Sequence, residues 1–148
     1  MKIYLDTNVV LEFFIHRTQF SQVKDILEVA QQGKLEACMS PISLSTVVYL
    51  LGIHLKQNGI HEPQKRMEIR ALLNDLLGYV HLIDISENFC KEAINDNSFK
   101  DIEDSLQYYC AYENRCTSLV TINLKHFPSF DKGIEILSPI EFVDKYLD

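Results

Sequence analysis

Met1-Lys2-Ile3-Tyr4-Leu5-Asp6-Thr7-Asn8-Val9-Val10-Leu11 is the stretch from which the fold is read. Ile3, Tyr4 and Leu5 form a short apolar run of strand formers that stops at Asp6. The apolar residues that resume at Val9, Val10, Phe13 and Phe14 have helical spacing. The pattern is that of a buried strand ending on a carboxylate, then a turn, then a helix. In open α/β sheets ligands bind beyond the strand ends, in a crevice into which helix N-termini point. Asp6 therefore invites a functional reading. A plain alternative stands beside it: Asp6 or Thr7 caps the helix, accepting an otherwise unpaired N–H.

Outward from that stretch, short apolar runs alternate with helical patterns. A helix spans Phe20 to Gln32 and stops at Gly33, and a strand follows over Leu35 to Met39. Ser40-Pro41 reads as a cap and a first-turn proline opening a helix to Asn58-Gly59. A second long helix covers Glu62 to Leu77, then a strand Tyr79 to Ile83 and a helix Glu87 to Asn95 capped by Ser86. A helix opening with three acids starts at Asp101, and strands follow at Ser118–Thr121 and Ile134–Leu137. Ser138-Pro139-Ile140-Glu141 is a capping box ahead of a terminal helix to Tyr146. Strands alternating with helices imply an α/β fold, a three-layer sandwich with a central, mostly parallel sheet of about five short strands. With no linker or repeat in view, residues 1–148 are expected to form a single domain.

Composition narrows the function. The chain has 148 residues, 47% apolar and 24% charged, an ordinary globular balance. No apolar run approaches the ~20 residues that span a bilayer, and Asp6 interrupts any signal-peptide pattern. A cytoplasmic protein without membrane contact is the expectation. Four cysteines without a C-x-x-C pair suggest neither a zinc knuckle nor a disulfide frame. A net charge of −7 excludes nucleic-acid binding through a general positive field and leaves three options: no nucleic-acid binding, a local basic patch or a recruited cation.

Asp101 and Asp104 lie three apart at a helix start, on one side of the first turn. Capping by Asp101 and dipole stabilisation of Glu103 and Asp104 is the structural reading. Asp104 brought close to Asp6 would change the balance. Two carboxylates ~5 Å apart at an effective dielectric of ~20 repel by roughly 3 kcal/mol. A divalent cation compensates that, and hard oxygens with open water positions suit magnesium or manganese. Asn123, after the strand ending at Thr121, offers a neutral oxygen or a water-holding amide; an ordinary turn residue is its alternative.

Asp6-Thr7-Asn8-Val9, Asp101-Ile102-Glu103-Asp104-Ser105-Leu106-Gln107 and Thr121-Ile122-Asn123-Leu124-Lys125-His126-Phe127 resemble, in that order, the motifs of PIN-domain proteins. Ser40-Pro41-Ile42-Ser43-Leu44 with Tyr49-Leu50 is similar to the family's third helix. The resemblance implies a Mg2+- or Mn2+-dependent ribonuclease, often the toxin of a toxin–antitoxin pair and commonly a homodimer. It places Asp6 and Asp104 on the family's metal-binding aspartates and Asn123 on its last acidic position. Thr7, Asn8 and Thr121 would orient ligands or substrate. Thr46 stands where many active members carry a glutamate, and His126 replaces the usual aspartate before Phe127. Asp101, Glu103 and Glu12 are candidate substitutes for the missing acids. The resemblance further implies an RNA substrate and an antitoxin protein as partners. Catalysis would be hydrolytic, with Asp104 or Asp101 helping to remove a water proton. Arg17, Lys100, Lys125 and His126, near the expected strand ends, are candidate RNA-backbone contacts, with a solvated surface side chain as the plain alternative for each.

Other readings compete. A dehalogenase-like phosphatase needs a second aspartate where this chain has Asn8, and a receiver domain needs a paired acid by the first strand. A PIN-like module that binds RNA or protein without cutting is the remaining alternative.

Overall fold

A computed structural model describes residues 1–128 and 132–147. The strands are β1 (Lys2–Leu5), β2 (Glu36–Met39), β3 (Val80–Leu82), β4 (Ser118–Val120) and β5 (Glu135–Leu137). The helices are α1 (Thr7–Ile15), α2 (Phe20–Gln31), α3 (Pro41–Gln57), α4 (Gln64–Leu76), α5 (Glu87–Ile94), α6 (Ile102–Glu113) and α7 (Pro139–Phe142). The sheet runs β3-β2-β1-β4-β5 with every neighbouring pair parallel. β1 occupies the centre, with Tyr4 beside Cys38 on β2 and Leu119 on β4.

Parallel strands need crossovers, and the crossover helices cover both faces of the sheet. Alternation along the strands sorts the two cores. Ile3, Leu5, Ala37, Met39 and Val120 meet Val9, Val10, Val23, Val47, Leu51, Leu76 and Phe142 from α1–α4 and α7. Tyr4 and Leu119 point the other way, onto Ala93, Tyr108, Tyr109 and Ala111 of α5 and α6. The expected three-layer α/β sandwich is what forms.

Differences are local. The turn expected after β1 shrinks to Asp6 alone, because α1 starts at Thr7. Asp6 occupies the N-cap position with extended backbone, yet its side chain makes no capping hydrogen bond. The last helix is α-helical only to Phe142, then widens to a π turn over Val143–Leu147. The Ser138–Glu141 capping box is present with both of its hydrogen bonds.

Candidate active site

The C-terminal end of β1 delivers Asp6 to the heart of the molecule, 2% exposed. The Asp6 N–H closes the ladder on the Val120 carbonyl at 3.0 Å, so the strand partner fixes its backbone. The Thr121 hydroxyl donates to Asp6 Oδ2 at 2.7 Å and accepts the Asn123 N–H at 3.0 Å. Strand β4 and the turn after it thereby orient the carboxylate. Burial raises the Asp6 pKa, and the hydrogen bond from Thr121 opposes that rise.

Asp104 sits in the first turn of α6, 8% exposed. Its Oδ2 is buried and makes no hydrogen bond, although His126 Nδ1 stands 3.2 Å away. Burial and the negative charge of Asp6 push its pKa up to about 6, with Asp101 and Glu103 adding to the effect and His126 opposing it. The charge of Asp6 felt at Asp104 is the juxtaposition on which the sequence reading depends. Helix α6 also sends Gln107, 1% exposed, to the Thr7 N–H at 3.2 Å, locking the start of α1.

The three acids at the start of α6, Asp101 at its N-cap and Glu103 and Asp104 in its first turn, take different roles. Asp101 is exposed and accepts the Glu103 N–H at 2.8 Å, so the plain capping reading holds for it. Glu103 turns inward: Thr7 Oγ1 donates to Oε1 at 3.4 Å and Thr46 Oγ1 to Oε2 at 3.2 Å. Thr7 also pairs with Ser43 Oγ at 2.8 Å, tying α1 to α3. Glu12 is buried, but its carboxylate is taken by the Gln19 N–H at the α1–α2 junction.

Asn123 is half-buried at the head of a 3-10 turn, Leu124–His126, with no capping bond from its side chain. Asn8 is half-buried in the first turn of α1. Arg17, Lys100, Lys125 and His126 are exposed. Sequence reasoning missed Gln107 as a site residue, although its place three after Asp104 puts it on the same helical side. It also left open which spare acid turns inward; the hydroxyls of Thr7 and Thr46 select Glu103.

Among the described residues no three His, Cys, Asp or Glu side chains converge closely enough to hold a metal ion by themselves. Two nearly buried carboxylates, one with an oxygen that makes no hydrogen bond, nonetheless concentrate negative charge that, among the described residues, the exposed His126 alone faces at 3.2 Å. That donor set fits a hard divalent cation that keeps several waters.

An all-parallel α/β sandwich with paired acids beyond its central strand defines a class of acid-centred α/β domains. A sequence model of the PIN domain matches residues 2–125, and the chain belongs to the PIN-domain family. It is similar to Ribonuclease VapC1 of Aquifex aeolicus (strain VF5), 27% identical over 150 residues covering 98% of this chain and 95% of that protein. Its fold is similar to a chain in the crystal structure of VapBC2 from Rickettsia felis bound to a DNA fragment from their promoter. There the TM-score is 0.62 at 17% identity, covering 92% of this chain and 97% of that one.

Proposed function

We propose that the protein is a metal-dependent endoribonuclease of the toxin type, hydrolysing RNA phosphodiesters at the Asp6–Asp104 site. The observation that carries this reading is the buried pair itself. Asp104 Oδ2 has no hydrogen bond, and its carboxyl is pushed up to about 6 in part by the charge on Asp6. Family membership and the likeness to a ribonuclease support it.

In this reading Asp6 and Asp104 hold Mg2+ or Mn2+. The ion, when bound, supplies Lewis acidity for activating water and for neutralising charge on a phosphodiester. Thr121 keeps Asp6 aimed, and Gln107 fixes the Thr7 backbone next to it. Asn123, Thr7, Asn8 and Thr46 offer neutral oxygens to waters or substrate. Asp101, exposed at the rim, or Asp104 accepts a water proton. Lys125 and His126, also on the rim, meet the RNA backbone.

The test is cleavage of a mixed single-stranded RNA with Mn2+. Wild-type protein cleaves, and Asp104→Asn loses roughly 100-fold or more, beyond the usual cost of losing an outer-shell partner. Equal rates for the two proteins would refute the assignment.

A small antitoxin-type protein is the proposed partner. Val48, Tyr49 and Ile53 are exposed on α3 and, with Ile69 of α4, line a groove of about 420 Å³ rimmed by Lys56, Lys65 and Arg66 and by a single acid, Glu62. That basic rim on a chain of net charge −7 suits an acidic amphipathic segment. A homodimer also belongs to this reading, and sedimentation equilibrium separates it from a 17.1 kDa monomer. Among the described residues no helix is long and apolar enough to cross a membrane; a cytoplasmic location is the proposal that goes with an RNA substrate.

A further inference from the structure

Glu103 sits where a glutamate has little reason to be. In the first turn of α6 it could extend into water, favoured there by the helix dipole. Instead it is half-buried, and each of its oxygens accepts a hydroxyl from a different helix: Thr7 of α1 at 3.4 Å and Thr46 of α3 at 3.2 Å. Turning inward gives up hydration and brings a third negative charge toward two carboxylates that already repel. Neutral hydroxyls orient that charge without cancelling it. Thr46 has an alternative acceptor in the Ile42 carbonyl at 3.2 Å, so its hydroxyl does not depend on Glu103 for a partner. Asp104, an 8% exposed residue, independently marks the same mouth as acidic: its buried Oδ2 makes no hydrogen bond, and the cationic-capable group beside it is the exposed His126, with Nδ1 3.2 Å away.

We infer that Glu103 is a positioning residue for the cation. It supplies the third negative charge of the site from α6, steered by Thr7 and Thr46, and acts across water. Both of its oxygens are engaged by the Thr7 and Thr46 hydroxyls, which leaves it to act through water and not as a direct ligand. The inference rests on the metal-dependent reading above. It deepens that reading by naming the group that compensates a site with few direct acid ligands.

The experiment is calorimetric titration of the purified full chain with MnCl2, which reads binding without turnover. Glu103→Gln keeps an oxygen for one hydroxyl and an amide that donates to the other, so the local packing survives while the charge is lost. Its Mn2+ affinity is expected to fall about 10-fold or more, as for other groups that act one layer out from a metal. The second variant combines Glu103→Gln with Thr46→Glu, which returns a carboxylate to the same place from α3; its affinity is expected to recover toward wild type. Glu103→Gln titrating like wild type overturns the inference, as does a double variant as weak as Glu103→Gln. Wild-type protein that binds no Mn2+ at millimolar concentration brings down the metal-dependent reading as well. Tight wild-type binding with an unaltered Glu103→Gln removes only the role given to Glu103.

Discussion

Asp104 pays for its position in a measurable way. Its carboxyl moves from 3.8 to about 6, through burial first and the charge on Asp6 second. Between those two pH values the folded chain keeps a proton that the unfolded chain has released. Stability contributed by this group therefore falls as pH rises through that window, and the loss is complete above it. Asp104→Asn carries no charge to desolvate. In chelator, the denaturant midpoint of Asp104→Asn is expected to match wild type near pH 4 and to exceed it increasingly up to pH 7. Added Mn2+ should close the gap by stabilising only the wild type. A difference between the two proteins that stays constant with pH would contradict the account. At this scale the sequence was partly legible. Asp6 stood out because an apolar run stops at it, and Asp104 because three acids open a helix. The inward turn of Glu103 was not legible, because it depends on Thr46, 57 positions away. Gln107 was obscured for a similar reason: its partner, the Thr7 N–H, lies 100 positions back.

At the scale of elements, Ser40 joins α3 to the sheet. Its hydroxyl oxygen accepts the Ser43 N–H as a helix cap at 3.0 Å and also the hydroxyl of fully buried Tyr4 at 2.9 Å. Ser40→Ala removes a cap and strands a buried phenol, a cost of about 2 kcal/mol. Urea unfolding followed by circular dichroism reads this directly, and a loss within about 0.5 kcal/mol of zero would contradict it. Strands and helices were legible in the sequence because short apolar runs alternate with period-3.6 patterns, as expected for strands buried on both faces, with Ser-Pro caps marking two helix starts. The π turn was not. Val143 and Leu147 both pack on the larger core, and their spacing of four suits a helix and a wider turn alike. Contacts from Lys145 and Tyr146 to Glu135 on β5 accompany the wider winding, and periodicity carries no trace of them.

Across the whole molecule the paired acids Asp6 and Asp104 lie buried beyond the strand ends, and a basic group lies elsewhere, on α3 and α4. Lys56, Lys65 and Arg66 frame the apolar groove there. Tyr49, 67% exposed, is the most exposed large apolar side chain among the described residues. Tyr49→Glu is expected to leave RNA cleavage by the free protein unchanged and to abolish co-purification with a small protein encoded beside it. Unaltered co-purification would move the partner to another face.

The central claim is that residues 6 and 104 share one ion, and diffraction from crystals soaked in MnCl2 tests it most directly. The account predicts an anomalous peak about 2.0–2.6 Å from a carboxylate oxygen of each residue. Crystals soaked at a Mn2+ concentration that supports cleavage, with no peak between those two side chains or with the peak at another place, would contradict it.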